Sequence, residues 1–231
     1  MRIAQYQLVT AVFIAALAPT PAVHAADGLT GVSSVRALAD DRTLGASQEA
    51  TISRFAEEAG RALSARNPSE DHLEAVRIDL MAPLSGGCTP AFARAYGARL
   101  LEAFGEYDND SRTPQQQMIA FSVLSATGSS ASLLDLAERI VDLDSETAAW
   151  KPMAMCQTLS QGVAKATTLD LAERNRSELA RIFGRIASRV SPSANRHVME
   201  GFVMLGGGER EDIARRWADA LKSLALSLIH I

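Results

Sequence analysis

Beyond residue 46, apolar side chains return every three or four positions, the spacing that gathers them on one face of an α-helix. In "EATISRFAEEAGRALSA" the positions Ile52, Phe55, Ala59, Ala62 and Leu63 fall together. Phe92, Tyr96, Leu100 and Phe104 repeat the spacing, and Ile182, Ile186 and Val190 do so again. Start signals accompany these faces. Thr89-Pro90, Thr113-Pro114 and Ser191-Pro192 each set a capping hydroxyl before a proline whose fixed φ suits the first helical position. Thr113 with Gln116 has capping-box spacing, and Asp170 with Glu173 a related pattern. Gly105, Gly128 and the run Gly206-Gly207-Gly208 mark ends. Helix starts are predicted near residues 47, 69, 89, 113, 131, 145, 168, 192 and 208.

Taken alternately, the starts at 47, 89, 131, 168 and 208 are spaced by 42, 42, 37 and 40 residues. The helices that open there share a local pattern: an apolar residue, Arg two or three places on, then an apolar or aromatic residue. It reads "FARAYG" at 92–97, "LARIFG" at 179–184 and "IARRWA" at 213–218, with "ISRF" at 52–55 and "LAERIV" at 136–141 as looser copies. A two-helix unit of about 40 residues resembles HEAT and armadillo-type repeats. The resemblance covers most of 47–225 and is one of architecture. The proline of the first HEAT helix and the Asp and Arg of the second are not reproduced in order. It implies an all-α fold, a right-handed α-solenoid of antiparallel helix pairs over residues 46–225. An irregular α-helical bundle is the alternative, because amphipathic helices share a general look. Composition agrees with helices: 47% of residues are apolar but only 5% aromatic, whereas strands favour aromatic and β-branched side chains.

The ends differ from the middle. Residues 1–25, "MRIAQYQLVTAVFIAALAPTPAVHA", combine Arg2, an apolar run from Leu8 to Ala18, two prolines and the small-residue pattern Val23-His24-Ala25. That order is a cleavable secretory signal, and the apolar run is too short for the roughly 20 residues that span a bilayer. The expected location is periplasmic or secreted, in a bacterium. Residues 26–45, rich in small and polar positions without sustained periodicity, are expected to form a flexible leader. At the other end, Leu226–Ile231, "LSLIHI", reads as CTG TCT CTT ATA CAC ATC, a sequencing-library adapter in translation. These six residues are expected to be an artefact, with the natural array continuing past Ala225. Ile213, Trp217, Ala220 and Leu221 would otherwise lack a partner helix.

Charge narrows the partners. The net formal charge of −4 becomes −5 once Arg2 leaves with the leader, and neither nucleic acid nor an anionic membrane surface attracts a mildly acidic chain. No second long apolar run follows residue 26, so no stable membrane insertion is expected after cleavage.

Candidate chemistry is sparse. Only His72 and His197 remain between the two ends, and neither has ligand spacing. Cys88 and Cys156 give the even count expected of an exported protein and are expected to pair. A bridge closing so long a loop would contribute about 4 kcal/mol in the chain-entropy description. A nucleophilic Cys88 in "SGGCTP", before a helix start, would lack an adjacent base. "YDNDSRTPQQQM" begins like a calcium loop with Asp108 and Asp110, but Thr113 stands where such a loop needs Gly and Ile119 where it needs Glu. "LGGGERED" lacks the Lys and Ser or Thr of a phosphate cradle. No residue is therefore assigned a catalytic, cofactor-binding or metal-binding role.

Together these features imply a non-catalytic exported repeat protein that binds a periplasmic protein or peptide, or acts as a scaffold. Its second helices would supply the binding face, with Gln115, Gln116, Gln117, Gln157 and Gln161 as contact residues. The alternative is the helical N-terminal part of a periplasmic enzyme whose catalytic region lies further along a longer chain.

Overall fold

The computed structural model describes residues 28–144, 147–168 and 171–205. Among them every regular element is helical and no strand occurs. The helices are α1 (Val32–Ala37), α2 (Ala46–Leu63), α3 (Glu70–Met81), α4 (Pro90–Phe104) and α5 (Pro114–Thr127). They continue with α6 (Ser130–Asp142), α7 (Trp150–Thr168), α8 (Glu173–Ala187) and α9 (Pro192–Leu205). The expected signal over 1–25, the helix expected over Glu209–Ala225 and the segment Leu226–Ile231 lie outside the described residues.

The starts follow from local chemistry. Thr89 Oγ1 accepts the Phe92 amide, and Thr113 Oγ1 accepts that of Gln116 while Gln116 Oε1 accepts the Thr113 amide at 2.7 Å. Ser69 and Ser129 cap α3 and α6 in the same way, each satisfying an amide that has no partner inside its helix. Two starts shift from expectation. The helix looked for near 145 begins at Trp150, and the one looked for near 168 begins at Glu173 because α7 itself runs through Thr168. Ala172, rather than Asp170, occupies the N-cap of α8.

Helices two apart in sequence lie side by side. α2 packs on α4, α4 on α6 and α6 on α8; α3 packs on α5, α5 on α7 and α7 on α9. Contacts also join α2 to α3, α4 to α5, α6 to α7 and α8 to α9, so the odd and even helices form two facing rows. One continuous apolar core runs through them. Ile52, Phe55, Ala59 and Leu63 are buried as a single face of α2, and Phe92, Tyr96, Leu100 and Phe104 as one of α4. The Phe92 and Tyr96 rings stack at 5.3 Å, and Phe183 meets Phe202 edge-on at 6.3 Å. α5 touches α3, α4, α6 and α7, which is why apolar residues are buried around most of its circumference.

Small residues set the row spacing. A β-carbon at Gly60 of α2 would lie 3.0 Å from the Ala103 carbonyl carbon of α4, and one at Gly97 of α4 would lie 2.8 Å from Ser132 Oγ of α6. In the other row, a β-carbon at Gly162 of α7 would lie 2.8 Å from the Ser125 carbonyl oxygen of α5, and one at Gly201 of α9 would lie 3.2 Å from Ser160 Cα of α7. Interiors are packed without slack, so these contacts fix how closely successive helices approach.

Residues 28–45, expected to be a flexible leader, form a folded strap. Val35 is fully buried. The Leu29 amide donates to Asp79 Oδ2 at 2.7 Å, and Thr30 gives both its amide and its hydroxyl to Glu58. The Thr89 amide donates to the Ala39 carbonyl at 2.9 Å and the Thr89 hydroxyl to that of Asp41 at 2.6 Å. Val35 and Ala39 are buried in the core, Leu29, Val32, Leu38 and Leu44 pack partly against it, and polar anchors complete the hold, without the apolar period that marks a longer helix. No helix among the described residues is long and apolar enough to cross a membrane.

Candidate functional site

The five glutamines separate into two groups. Gln115 at the head of α5 and Gln157 and Gln161, one turn apart on α7, are exposed. Both helices belong to the row formed by α3, α5, α7 and α9. Gln116 and Gln117, expected beside them on a contact surface, are buried at 3% and 2% exposure and serve the fold instead. Gln116 Nε2 donates to the carbonyls of Leu63 at 2.8 Å and Ala65 at 3.0 Å, closing the C-terminal end of α2. Gln117 Nε2 donates to the carbonyls of Asn109 and Arg112, both at 3.1 Å, and pins the α4–α5 loop. The role of Gln116 follows from its position: the third residue of a capped helix points back past the helix start.

The two rows present different surfaces. Ion pairs tie the helices of the first row together, Glu49 of α2 to Arg99 of α4 at 3.7 Å and Glu138 of α6 to Arg185 of α8 at 3.1 Å. Among the described residues, the large apolar side chains left exposed, Ile78 (45%), Val203 (68%) and Met204 (45%), all stand on the second row, in α3 and α9.

A polar groove of about 460 Å³ opens between the end of α2 and the α4–α5 loop, lined among others by Arg66, Asn67, Glu106, Asn109, Ser111 and Arg112. Asn67 takes a left-handed backbone with φ of 53°, the conformation Asn tolerates better than most residues, and so turns the chain sharply after α2. Arg112 Nη2 donates to the Phe104 carbonyl at 2.7 Å and to Ser64 Oγ at 3.1 Å, holding the end of α4 to that of α2. Its Nη1 is buried with no hydrogen-bond partner among the described residues. Burial lowers the pKa of this guanidinium, against the raising effect of the Asp108 charge.

Beside the groove lies the segment that begins like a calcium loop. Its acids face cations already in the chain. Arg139 of α6 bonds Asp108 and, at 2.9 Å, Asp135, and its guanidinium sits 4.3 Å over the Tyr107 ring. Lys151 of α7, itself buried, donates to the Asp108 carbonyl and to Asp110 Oδ1 at 3.0 Å. The buried Tyr107 hydroxyl donates to Asp135 Oδ2 at 2.6 Å, and its pKa is raised, first by burial and then by the Asp135 charge. Among the described residues no three His, Cys, Asp or Glu side chains converge as a metal site.

The pairing expected of Cys88 and Cys156 is not formed; both are free thiols. Cys156 is fully buried in α7, and burial pushes its pKa up to about 12. Cys88 is half-buried just before α4, and burial raises its pKa too, opposed by the charge of Lys165. Neither environment favours the thiolate that nucleophilic chemistry requires. His197 Nδ1 meets Glu200 Oε2 at 3.1 Å within α9, and the His72 amide takes part in the Ser69 cap.

No family model, curated protein or solved structure matches this chain.

Proposed function

We propose that this chain is an exported, non-catalytic helical-repeat module that binds a protein or peptide across its second row of helices, α3, α5, α7 and α9. Two features support a two-layer right-handed solenoid of antiparallel helix pairs. The first-row helices start at 46, 90, 130 and 173, spaced by 44, 40 and 43 residues. Each unit also packs chiefly on its neighbours in sequence, the arrangement from which repeat proteins build extended binding surfaces. Export is supported by the three-part signal pattern over residues 1–25.

The observation that carries the choice of face is the division of surface chemistry. Exposed Ile78, Val203 and Met204 share the second row with Gln115, Gln157 and Gln161, while the first row is closed by ion pairs between its helices. A row that carries both exposed apolar side chains and exposed amides suits a peptide, which needs both burial and hydrogen-bond partners.

Tagged full-length protein expressed in its native host tests this. Wild type is expected to retain a partner from periplasmic extract. The double substitution Gln157→Arg, Gln161→Arg should release it, and Arg94→Glu on the first row should not. Recovery of nothing above background, or equal retention by the double variant, overturns the proposal. Amino-terminal sequencing of the periplasmic form should begin at Ala26, and retention of the chain in the cytoplasm removes the exported part.

A further inference from the structure

Methionine is confined to one side of this fold. Among the described residues every methionine belongs to the second row: Met81 of α3, Met118 of α5, Met153 and Met155 of α7, and Met199 and Met204 of α9. None occurs in α2, α4, α6 or α8. Met155 is buried, whereas the others are half-buried or exposed. Met81, Met118, Met153 and Met199 rest only partly against the core. A methionine side chain is unbranched, with several rotatable bonds and a polarisable sulfur, so it re-packs readily around neighbours of different shape.

The charges of the row narrow what could lie on it. In a chain with 22% charged residues, α5 has no charged side chain, and α7 has no acid and two lysines. Lys151 is buried and bonded to Asp110 and to the Asp108 carbonyl, so it offers no charge at the surface. Lys165 is half-buried towards the other end of α7. Between those ends, Gln115, Met118 and Ser122 of α5 are exposed or half-buried at spacings of three and four, as are Met153, Gln157 and Gln161 of α7 at spacings of four. Each set therefore shares one helical face, and the two helices pack side by side. A charged group laid across these stripes would lose hydration with no opposite charge to meet. An uncharged apolar segment gains the burial of its side chains and can place its backbone groups on the glutamine amides.

Resting on the second-row reading, we infer that the α5–α7 face takes uncharged apolar polypeptide segments of varied sequence, such as a protein exposes before it has folded. Met118 and Met153 adapt to the side chains of the segment, and Gln157 and Gln161 bond its backbone. Surfaces that accept many partners commonly rely on such flexible methionines.

Calorimetric titration of the full chain tests this. Two probes are uncharged and differ only in order, acetyl-Ser-Leu-Ser-Phe-Ser-Leu amide and acetyl-Leu-Phe-Leu-Ser-Ser-Ser amide. Two more keep the first pattern with every serine replaced by glutamate or by lysine, and neutral phosphatidylcholine vesicles complete the set. Wild type is expected to bind both uncharged peptides with similar affinity, roughly tenfold or more tighter than either charged one, and without dependence on salt. Gln157→Glu, at an exposed position, sets a charge in the stripe and should weaken both roughly tenfold with the melting temperature unchanged. Met118→Leu combined with Met153→Leu keeps the apolar character but stiffens it, so the affinities of the two uncharged peptides should separate. Equal binding of a charged peptide, preference for the vesicles, full affinity in a folded Gln157→Glu protein, or equal affinities in the leucine variant overturns the inference. So does a dimer of the chain that Gln157→Glu disperses, which would put a second copy on this face. If wild type retains a periplasmic partner but binds neither uncharged peptide, the inference falls and the second-row reading stands.

Discussion

Gly97 of α4 lies so near the head of α6 that a β-carbon there would fall 2.8 Å from the Ser132 hydroxyl, and closer still to that of Ser129. The Ser129 hydroxyl caps α6 by accepting the Ser132 amide, and the Ser132 hydroxyl bonds that of Ser129 at 2.8 Å, so displacing Ser129 exposes the helix start and displacing the Ser132 hydroxyl breaks a buried hydrogen bond. Gly97→Ala is therefore expected to cost about 1–3 kcal/mol, the range for overpacking a filled interior. Gly184 in α8 supplies the contrast, because a β-carbon there meets nothing within 4 Å. Gly184→Ala should stabilise by about 0.5–1 kcal/mol through helix propensity. Urea unfolding of the two variants checks the sign, and a neutral or stabilising Gly97→Ala would mean the α4–α6 spacing has slack.

Gln116 supplies the second prediction. It is the buried donor to the carbonyls of Leu63 and Ala65, and Gln116→Leu keeps its bulk while leaving both acceptors without that donor. A loss of about 1–3 kcal/mol is expected. Gln115→Leu, one residue away and exposed, should stay within about 0.5 kcal/mol. Equal effects in the two variants would show that the cap does not contribute.

That pair of residues also shows how far the fold is legible in the sequence. Thr-Pro steps locate the starts of α4 and α5, because a hydroxyl cap and a proline act through local geometry alone. The same signal carries more than a helix start: in Thr113-Pro114-Gln115-Gln116, the capping box already turns Gln116 inward and away from any contact surface. The spacing of Ile52, Phe55, Ala59 and Leu63 reports a buried face faithfully, since burial and helical period coincide there. Gly60, Gly97, Gly162 and Gly201 have no local signature. Their reason is the approach of a helix far away in sequence, which only packing defines. The strap lacks a signal for a related reason, because Leu29 and Thr30 are anchored by Asp79 and Glu58 far along the chain and its apolar contacts follow no helical period. The groove around Arg112 is equally hidden, being assembled from two chain turns more than 40 residues apart.

Asp79 provides a third prediction. It is 7% exposed and accepts the Leu29 amide at 2.7 Å. Hydrogen bonds to charged groups contribute about 1.5–3 kcal/mol, so Asp79→Ala should loosen the strap by an amount in that range. Trypsin is expected to cut after Arg36 and Arg42 sooner in this variant than in wild type. Asp79→Asn retains a carbonyl acceptor and should recover most of the protection. Unchanged cleavage in Asp79→Ala would mean that Val35 and the Thr89 bonds hold the strap without the carboxylate.

Cys156 gives the pH dependence. Burial raises its pKa from 9.0 to about 12, so the folded chain holds this proton more tightly than the unfolded chain does. The stabilisation is fully present below pH 9 and is lost as pH rises towards 12, at up to about 1.4 kcal/mol per pH unit. Cys156→Ala removes the thiol and with it this contribution. The variant should be less stable than wild type by about 1 kcal/mol at neutral pH, and the gap should close near pH 10, where wild type has begun to ionise on unfolding. Urea midpoints for both proteins, measured under reducing conditions from pH 7 to 10.5, check this. Parallel stability curves across that range would show that the thiol is not desolvated as its position in α7 implies.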